Sequence, residues 1–256
     1  MSRIVGLIPA AGQGTRLAPF PCPKELFPVG YQDYRVDGKV ERRPKVVSQY
    51  LFEEMMAAGA REIFIIVGEG KHDIMRYYGA GRRFGANVAY LYQDELRGMP
   101  FALDLAHPWL SGDETIIFGM PDTIVEPKDA FVRLLEYHQS RGSDLTLGLF
   151  ATDTPWKFGM VGIDDEGRVV QNVDKPQESD LEYMWGICCW SHRFTALMHR
   201  FLAALPRGGR EIVLSEVFNA ALEQGLEVWG LFFDDGQYLD IGTSAELDLA
   251  LRRFHL

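Results

Sequence analysis

The sequence predicts an α/β fold: a mostly parallel, Rossmann-like sheet with helices on both faces, plus a small antiparallel portion. Three observations predict it. Strand-like apolar runs alternate with helix-like patterns through the first half. The runs are continuously apolar, as strands covered on both faces are. The first of them leads straight into a glycine-rich turn, the arrangement in which a strand end presents backbone N–H groups.

Residues 4–8 are rich in β-branched side chains and start the sheet. In residues 46–58, Val47, Tyr50, Leu51, Met55 and Ala58 fall near a 3.6-residue period and predict a helix. Residues 63–67 and 88–92 are further strands, and 100–107 a short helix. Residues 115–118 form a strand ending at Gly119-Met120-Pro121-Asp122; 130–138 follow as a helix and 145–150 as a strand. Residues 160–163 and 168–173 flank Asp164-Asp165-Glu166-Gly167 and predict an antiparallel hairpin. Residues 185–190 are a strand, and 194–204 and 212–222 are helices parted by Pro206-Arg207-Gly208-Gly209. A strand at 228–233 and a helix at 245–254 close the chain. Residues 31–43 carry Asp37-Gly38 between strand-tolerant residues, which predicts a protruding hairpin or loop.

The 256 residues suit one large α/β domain or two small ones, with enough chain for a substantial core. A net charge of −10 argues against nucleic acid or an anionic membrane as partner. No apolar stretch approaches a membrane span, and Met1-Ser2-Arg3-Ile4 lacks a signal-like flank, so a cytoplasmic location is expected. Cys22, Cys188 and Cys189 cannot form a disulfide framework, and the adjacent pair has the setting of core thiols. No zinc ligand set is spaced for binding. His138 and His199 are expected at the surface or at helix ends.

The chemistry begins at the first strand end. Gly12-Gln13-Gly14-Thr15-Arg16, then Pro23-Lys24, places a flexible backbone and two cations where a triphosphate would be neutralised. The loop is neither a P-loop, because Thr15-Arg16 follows Gly14, nor a dinucleotide fingerprint, because Leu17 stands at the third glycine. Ligands of parallel sheets bind at carboxyl ends of strands. Asp122 ends a later strand, and Asp240 lies just past the last one. If these ends converge, two carboxylates face the loop, which is how Mg²⁺ is held beside phosphates for phosphoryl or nucleotidyl transfer.

Taken with these motifs, the chain resembles the sugar-1-phosphate nucleotidylyltransferases along nearly its whole length. Gly12-x-Gly14-Thr15-Arg16 with Pro23-Lys24 resembles their loop, and Pro121-Asp122 their metal aspartate. Gln93 with Gly98 resembles the base-reading segment, and Phe158-Gly159-Met160-Val161 a sugar-site segment. Asp174-Lys175-Pro176, Trp185-Gly186-Ile187 and Arg210-Glu211-Ile212 resemble further sugar-side segments, and Leu239-Asp240-Ile241-Gly242-Thr243 resembles the Leu-Asp-Thr-Gly-Thr of glucose-1-phosphate thymidylyltransferases. The resemblance implies a glycosyltransferase-A-like fold in a single domain over residues 1–256, with a nucleotide half to about residue 143 and a sugar-phosphate half from about 144.

It implies the following roles. The backbone of Ala10, Ala11, Gly12, Gly14 and Thr15 cradles the nucleotide. Gln93 and Gly98 meet the base. Arg16, Lys24 and Lys175 act on phosphates, with Asp122 and Asp240 holding Mg²⁺. Gly159, Asp174, Trp185 and Gly186 meet the sugar. Trp185 has an alternative as a plain core aromatic. Asp174 is one methylene shorter than the usual Glu, Phe158 lacks a tyrosine hydroxyl, and Ala11 replaces a glycine common in thymidylyltransferases. The expected substrates are dTTP and glucose 1-phosphate. Ala11 and Pro121-Asp122 favour UTP instead. A cytidylyltransferase for another sugar or alcohol phosphate and a silent nucleotide-sensing subunit are the further readings, and a homo-oligomer stays open.

Overall fold

The computed structural model describes residues 3–206 and 208–254; Met1, Ser2 and Arg207, at the chain start and the helix break noted above, lie outside them. In chain order the elements are β1 (Arg3–Pro9), β2 (Pro28–Val36), β3 (Lys39–Val46), α1 (Val47–Ala57), β4 (Glu62–Val67), α2 (His72–Tyr78), β5 (Asn87–Tyr92), α3 (Met99–Asp104), β6 (Glu114–Phe118), β7 (Thr123–Glu126), α4 (Ala130–Arg141), β8 (Leu145–Ala151), β9 (Gly159–Ile163), β10 (Val169–Asp174), β11 (Tyr183–Trp190), α5 (His192–Ala203), α6 (Leu214–Glu223), β12 (Val228–Phe232), β13 (Gln237–Asp240) and α7 (Ser244–Phe254).

Among the described residues nine strands form the central sheet, in the order β10-β9-β11-β6-β1-β4-β5, with β8 beside β11 and β12 beside β8. The block β6-β1-β4-β5 is parallel, and so is β12 with β8. Strand β11 runs antiparallel to β6, β8 and β9, and β9 pairs with β10 in the expected acidic hairpin. From β1 the chain goes outward through β4 and β5, then returns to β6 on the other side of β1. The carboxyl end of β1 is therefore a topological switch point, where ligands of such sheets bind.

Alternate residues of the strands feed two cores. Val5, Leu7, Ile116 and Phe118 point to α3, α5 and α6, where Leu103, Phe194 and Phe218 meet them. Ile8 and Ile117 point to the other face, packed by Phe52 and Met55 of α1, Ile74 of α2 and Phe131 of α4. Cys188 and Cys189 are fully buried free thiols on opposite faces of β11. No helix of the described residues is long and apolar enough to cross a membrane.

Three elements depart from the expectation. The seven-residue α2 is too short for a periodic signal, although Ile74 and Tyr78, one turn apart, anchor it. Asp240 is not past the last strand: residues 237–240 are themselves β13, paired antiparallel with β7. His138 is buried rather than at the surface. Its Nδ1 bonds Thr146 Oγ1 at 2.9 Å, and burial pulls its pKa down to about 4. The 31–43 segment is the expected hairpin, turning at Asp37 (φ 49°) and Gly38 (φ 79°).

Candidate active site

The loop after β1 is held from behind and open in front. Ala10 N–H donates to Ile66 O at 2.7 Å, anchoring the loop root to β4. Gly14 adopts φ 66°, a left-handed turn that a side chain would strain, and starts the 3₁₀ turn Thr15–Leu17. Nothing lies within 4 Å of where a Gly12 side chain would begin. The loop from Ala11 to Thr15 lines a cavity of about 400 Å³ together with Lys24, Gln93, Gly98 and Asp122. The phosphate-sized space in front of the glycines is thus present.

The two acids meet through the small β7–β13 ladder. Thr123 lies opposite Asp240, and Ile241 N–H donates to Asp122 O at 3.0 Å. Two residues remote in sequence thereby become neighbours at one strand end. Burial raises the Asp240 carboxyl to about 6; the charges of Asp122 and Glu246 add to the rise, while the Gly242 N–H at 2.6 Å and Lys24 oppose it. The Asp122 side chain is buried and paired with Lys24 Nζ. Burial alone would lower the Lys24 ammonium; the charge and hydrogen bond of Asp122 outweigh it and hold the ammonium above its ordinary value. Arg16 reaches across to the same strand end, its Nη2 lying 2.8 Å from where a Gly242 Cβ would be. Among the described residues no group of three or more His, Cys, Asp or Glu is arranged to hold a metal.

A second cavity, of about 610 Å³, adjoins the first and shares Lys24, Asp122 and Glu211 with it. Arg16, Gly159, Asp174, Lys175, Trp185 and Asp240 line it as well. Lys175 is one of two non-glycine residues at positive φ among the described residues (46°), fixed by its N–H donating to Phe158 O at 2.9 Å. The Trp185 ring stands edge-on to Phe218 at 5.3 Å and lies 6.3 Å from Phe118. It is both a core aromatic and a cavity wall. Its Nε1 is enclosed without a hydrogen-bond partner, as is Ser215 Oγ, and both lie against Gly159.

Ala10 and Gly186 line neither cavity. Ala10 is core, and Gly186 makes room for the Tyr238 ring, 2.5 Å from where its Cβ would be. Gly98 (φ 111°) marks the seam between the cavities: a side chain there would begin 2.0 Å from Ile212 O, and Ile212 N–H donates to Arg97 O at 3.0 Å. Several contributors escaped sequence reasoning. Glu25 lines the first cavity, Glu211 both cavities, and Lys157 and Glu246 the second. Lys157 donates to Glu246 at 2.7 Å, and Thr243 Oγ1 donates to the same carboxylate at 2.8 Å. The Thr243-x-x-Glu246 spacing at the start of α7, which the Glu246 N–H to Thr243 Oγ1 contact at 3.4 Å reflects, was the available signal. Glu211 had none beyond its place in a quoted segment.

Fold and site together define an α/β protein with a glycine-rich loop at a switch point and an acid pair beside two adjoining cavities. The chain belongs to the Nucleotidyl transferase family, whose profile matches residues 5–252. It is 27% identical over 246 residues to a glucose-1-phosphate thymidylyltransferase of Streptomyces antibioticus, covering 94% of this chain and 63% of that one. A nucleotidyltransferase of low-salt glycan biosynthesis from Haloferax volcanii is 30% identical over 253 residues, covering 95% of this chain and 66% of that one. The chain thus spans somewhat under two-thirds of the length of these curated relatives. Further relatives are named as uridylyl- and guanylyltransferases. A Bacillus anthracis crystal structure, described as a candidate glucose-1-phosphate thymidylyltransferase in complex with a sucrose, superposes with a TM-score of 0.83 at 22% identity, covering 98% of this chain and 95% of that one.

Proposed function

We propose that the chain is a Mg²⁺-dependent sugar-1-phosphate nucleotidylyltransferase, joining dTTP to glucose 1-phosphate with release of pyrophosphate. The observation that carries this reading is the meeting of Asp122 and Asp240 where the glycine-loop cavity adjoins the Lys175 cavity. The donor set suits the metal. Burial raises Asp240 and the charge of Asp122 adds to the rise, and a divalent cation would relieve both through hard oxygen ligands. Asp122 and Asp240 would hold Mg²⁺, which supplies charge neutralisation on the reacting phosphates.

On this reading the other roles fall to the chain itself. The N–H groups from Ala11 to Thr15 receive the triphosphate, and Arg16 neutralises the pyrophosphate as it leaves. Lys24 exchanges its Asp122 contact for the α-phosphate region. Lys175 steers the sugar phosphate, while Asp174 and Gly159 meet sugar hydroxyls. A sugar-phosphate oxygen bonds to the α-phosphorus as the bond to the bridging oxygen breaks, and pyrophosphate departs with the electron pair. The attacking oxygen is already anionic, so no general base is needed. Gln93 supplies one donor and one acceptor, a match for the O4 and N3–H of thymine or uracil. The thymidylyltransferase relatives and Asp240-Ile241-Gly242-Thr243 support dTTP; Ala11, Pro121-Asp122 and the uridylyltransferase relative support UTP as the second reading.

The test is a matrix of dTTP, UTP, CTP and GTP against glucose, galactose and N-acetylglucosamine 1-phosphates, read by pyrophosphate release. Release with dTTP and glucose 1-phosphate supports the proposal, and preference for UTP selects the second reading. Mg²⁺-dependent nucleotide binding without release from any pair replaces both with a silent, nucleotide-sensing role.

A further inference from the structure

One buried ion pair beside the nucleotide cavity has no part in the mechanism above. Glu25 sits in the 3₁₀ turn Lys24–Leu26, directly after the lysine that contacts Asp122, and only 2% of it is exposed. Both of its carboxylate oxygens accept from Lys71 Nζ, at 2.9 and 3.0 Å, and Lys71 is 6% exposed. Lys71 caps α2 at the end of the turn after β4, its N–H donating to Gly68 O at 3.3 Å. Gly68 in turn lies against the glycine loop, its would-be Cβ 3.2 Å from Ala11 O. The pair therefore ties together the Lys24 turn, the end of β4 and the rear of the loop.

Stability alone does not explain such a pair, because well-packed apolar side chains of similar volume serve about as well in a core. Its charges have a local consequence. Glu25 and Lys24 are adjacent in sequence, and the Glu25 carboxylate acts on the Lys24 ammonium electrostatically. A carboxylate left without Lys71 is free to act on Lys24, its neighbour in the chain.

We infer that Lys71 is a positioning residue: by engaging both oxygens of Glu25 it keeps that carboxylate from capturing Lys24, and so leaves Lys24 aimed at Asp122 and the nucleotide phosphates. This rests on the proposed nucleotide site. It adds a control on the charge of that site by a residue that touches no substrate. The pair also fixes the height of the Lys24 turn against the glycine loop, so both the charge and the place of Lys24 depend on it.

The experiment measures Mg²⁺-nucleotide affinity by calorimetry, with steady-state kinetics and melting temperature alongside, in wild type, Lys71→Met and Lys71→Met/Glu25→Gln. Lys71→Met should lose about 100-fold in nucleotide kcat/KM, the effect of a small misplacement of a reacting charge, with a weakened nucleotide Kd and an unchanged KM for the sugar phosphate. Removing the competing carboxylate in the double variant should recover at least about tenfold of that loss. Where Lys71→Met does not fold, Lys71→Gln keeps a hydrogen bond to Glu25 without the charge and should show the same loss and the same recovery. A folded Lys71 variant with wild-type nucleotide affinity and turnover overturns the inference, as does a double variant no better than the single. A wild type that binds nucleotide without releasing pyrophosphate sinks the functional reading alone, since the Kd comparison still decides the role of Lys71.

Discussion

Gly159→Ala probes the proposed sugar side of the site with a single methyl group. Gly159 opens β9, and its backbone conformation is one an alanine can adopt, so the whole effect arises from contact. The new Cβ would start 2.2 Å from Trp185 Nε1, 2.9 Å from Cδ1 and 3.2 Å from Ser215 Oγ, where ordinary contact begins near 3.4 Å. The indole must therefore retreat by more than about 1 Å, and overpacking of this kind costs about 1–3 kcal/mol. Phe118 and Phe218 flank the ring and limit the retreat, so part of the displacement passes to β9 itself. Both Gly159 and Trp185 line the sugar-side cavity, whereas neither lines the glycine-loop cavity. Steady-state kinetics should show KM for the sugar phosphate up by about 10- to 100-fold, the scale of that strain, with the nucleotide KM held. Adding Trp185→Leu should restore part of the loss. A wild-type sugar-phosphate KM in folded Gly159→Ala, or an equal loss on the nucleotide side, refutes the reasoning.

Asp240→Asn should lower kcat by about 10²–10³-fold while leaving the circular dichroism spectrum and melting temperature near wild type; near-normal turnover removes Asp240 from the metal role. Glu54, on α1, has an enclosed Oε2 without a partner, and burial raises its pKa from 4.5 to about 8, against the pull of Lys45 and Lys128. Because the folded state holds the proton more tightly, stability is fullest below the unfolded value and falls as pH rises towards the folded one, by about 1.4 kcal/mol per pH unit. Glu54→Gln should thus match wild type at pH 4 and exceed it at pH 7 by up to about 3 kcal/mol in urea unfolding. A gain that does not grow with pH would show that the carboxyl stays ionised in the fold.

What the sequence made legible was local. The glycine loop, the acidic hairpin and the Asp37-Gly38 turn are each specified by residues within a few positions of one another, so their chemistry could be read directly. The acid pair was legible as two strand-end residues, but the device that joins them was not: β7 and β13 are four residues each, too short for an alternating pattern. Glu25 and Lys71 pair across a separation of 46 positions, which no spacing rule reaches. Trp185 could be read as core or as cavity wall because one ring does both. His138 does lie at a helix end, in the last turn of α4, but it is buried there because its hydroxyl partner, Thr146, arrives from β8.

The β7–β13 ladder also gives the chain an order of completion. Of the two acids, one lies between β6 and β7 and its companion on β13, the last strand before α7. A ribosome that has delivered everything up to β12 has already issued the glycine loop, Arg16, Lys24, Asp122 and Lys175, yet such an unfinished product holds only one of the pair. Whatever the pair does is withheld until β13 has been made, and a frameshift between β12 and β13 would leave the central sheet around an unarmed centre.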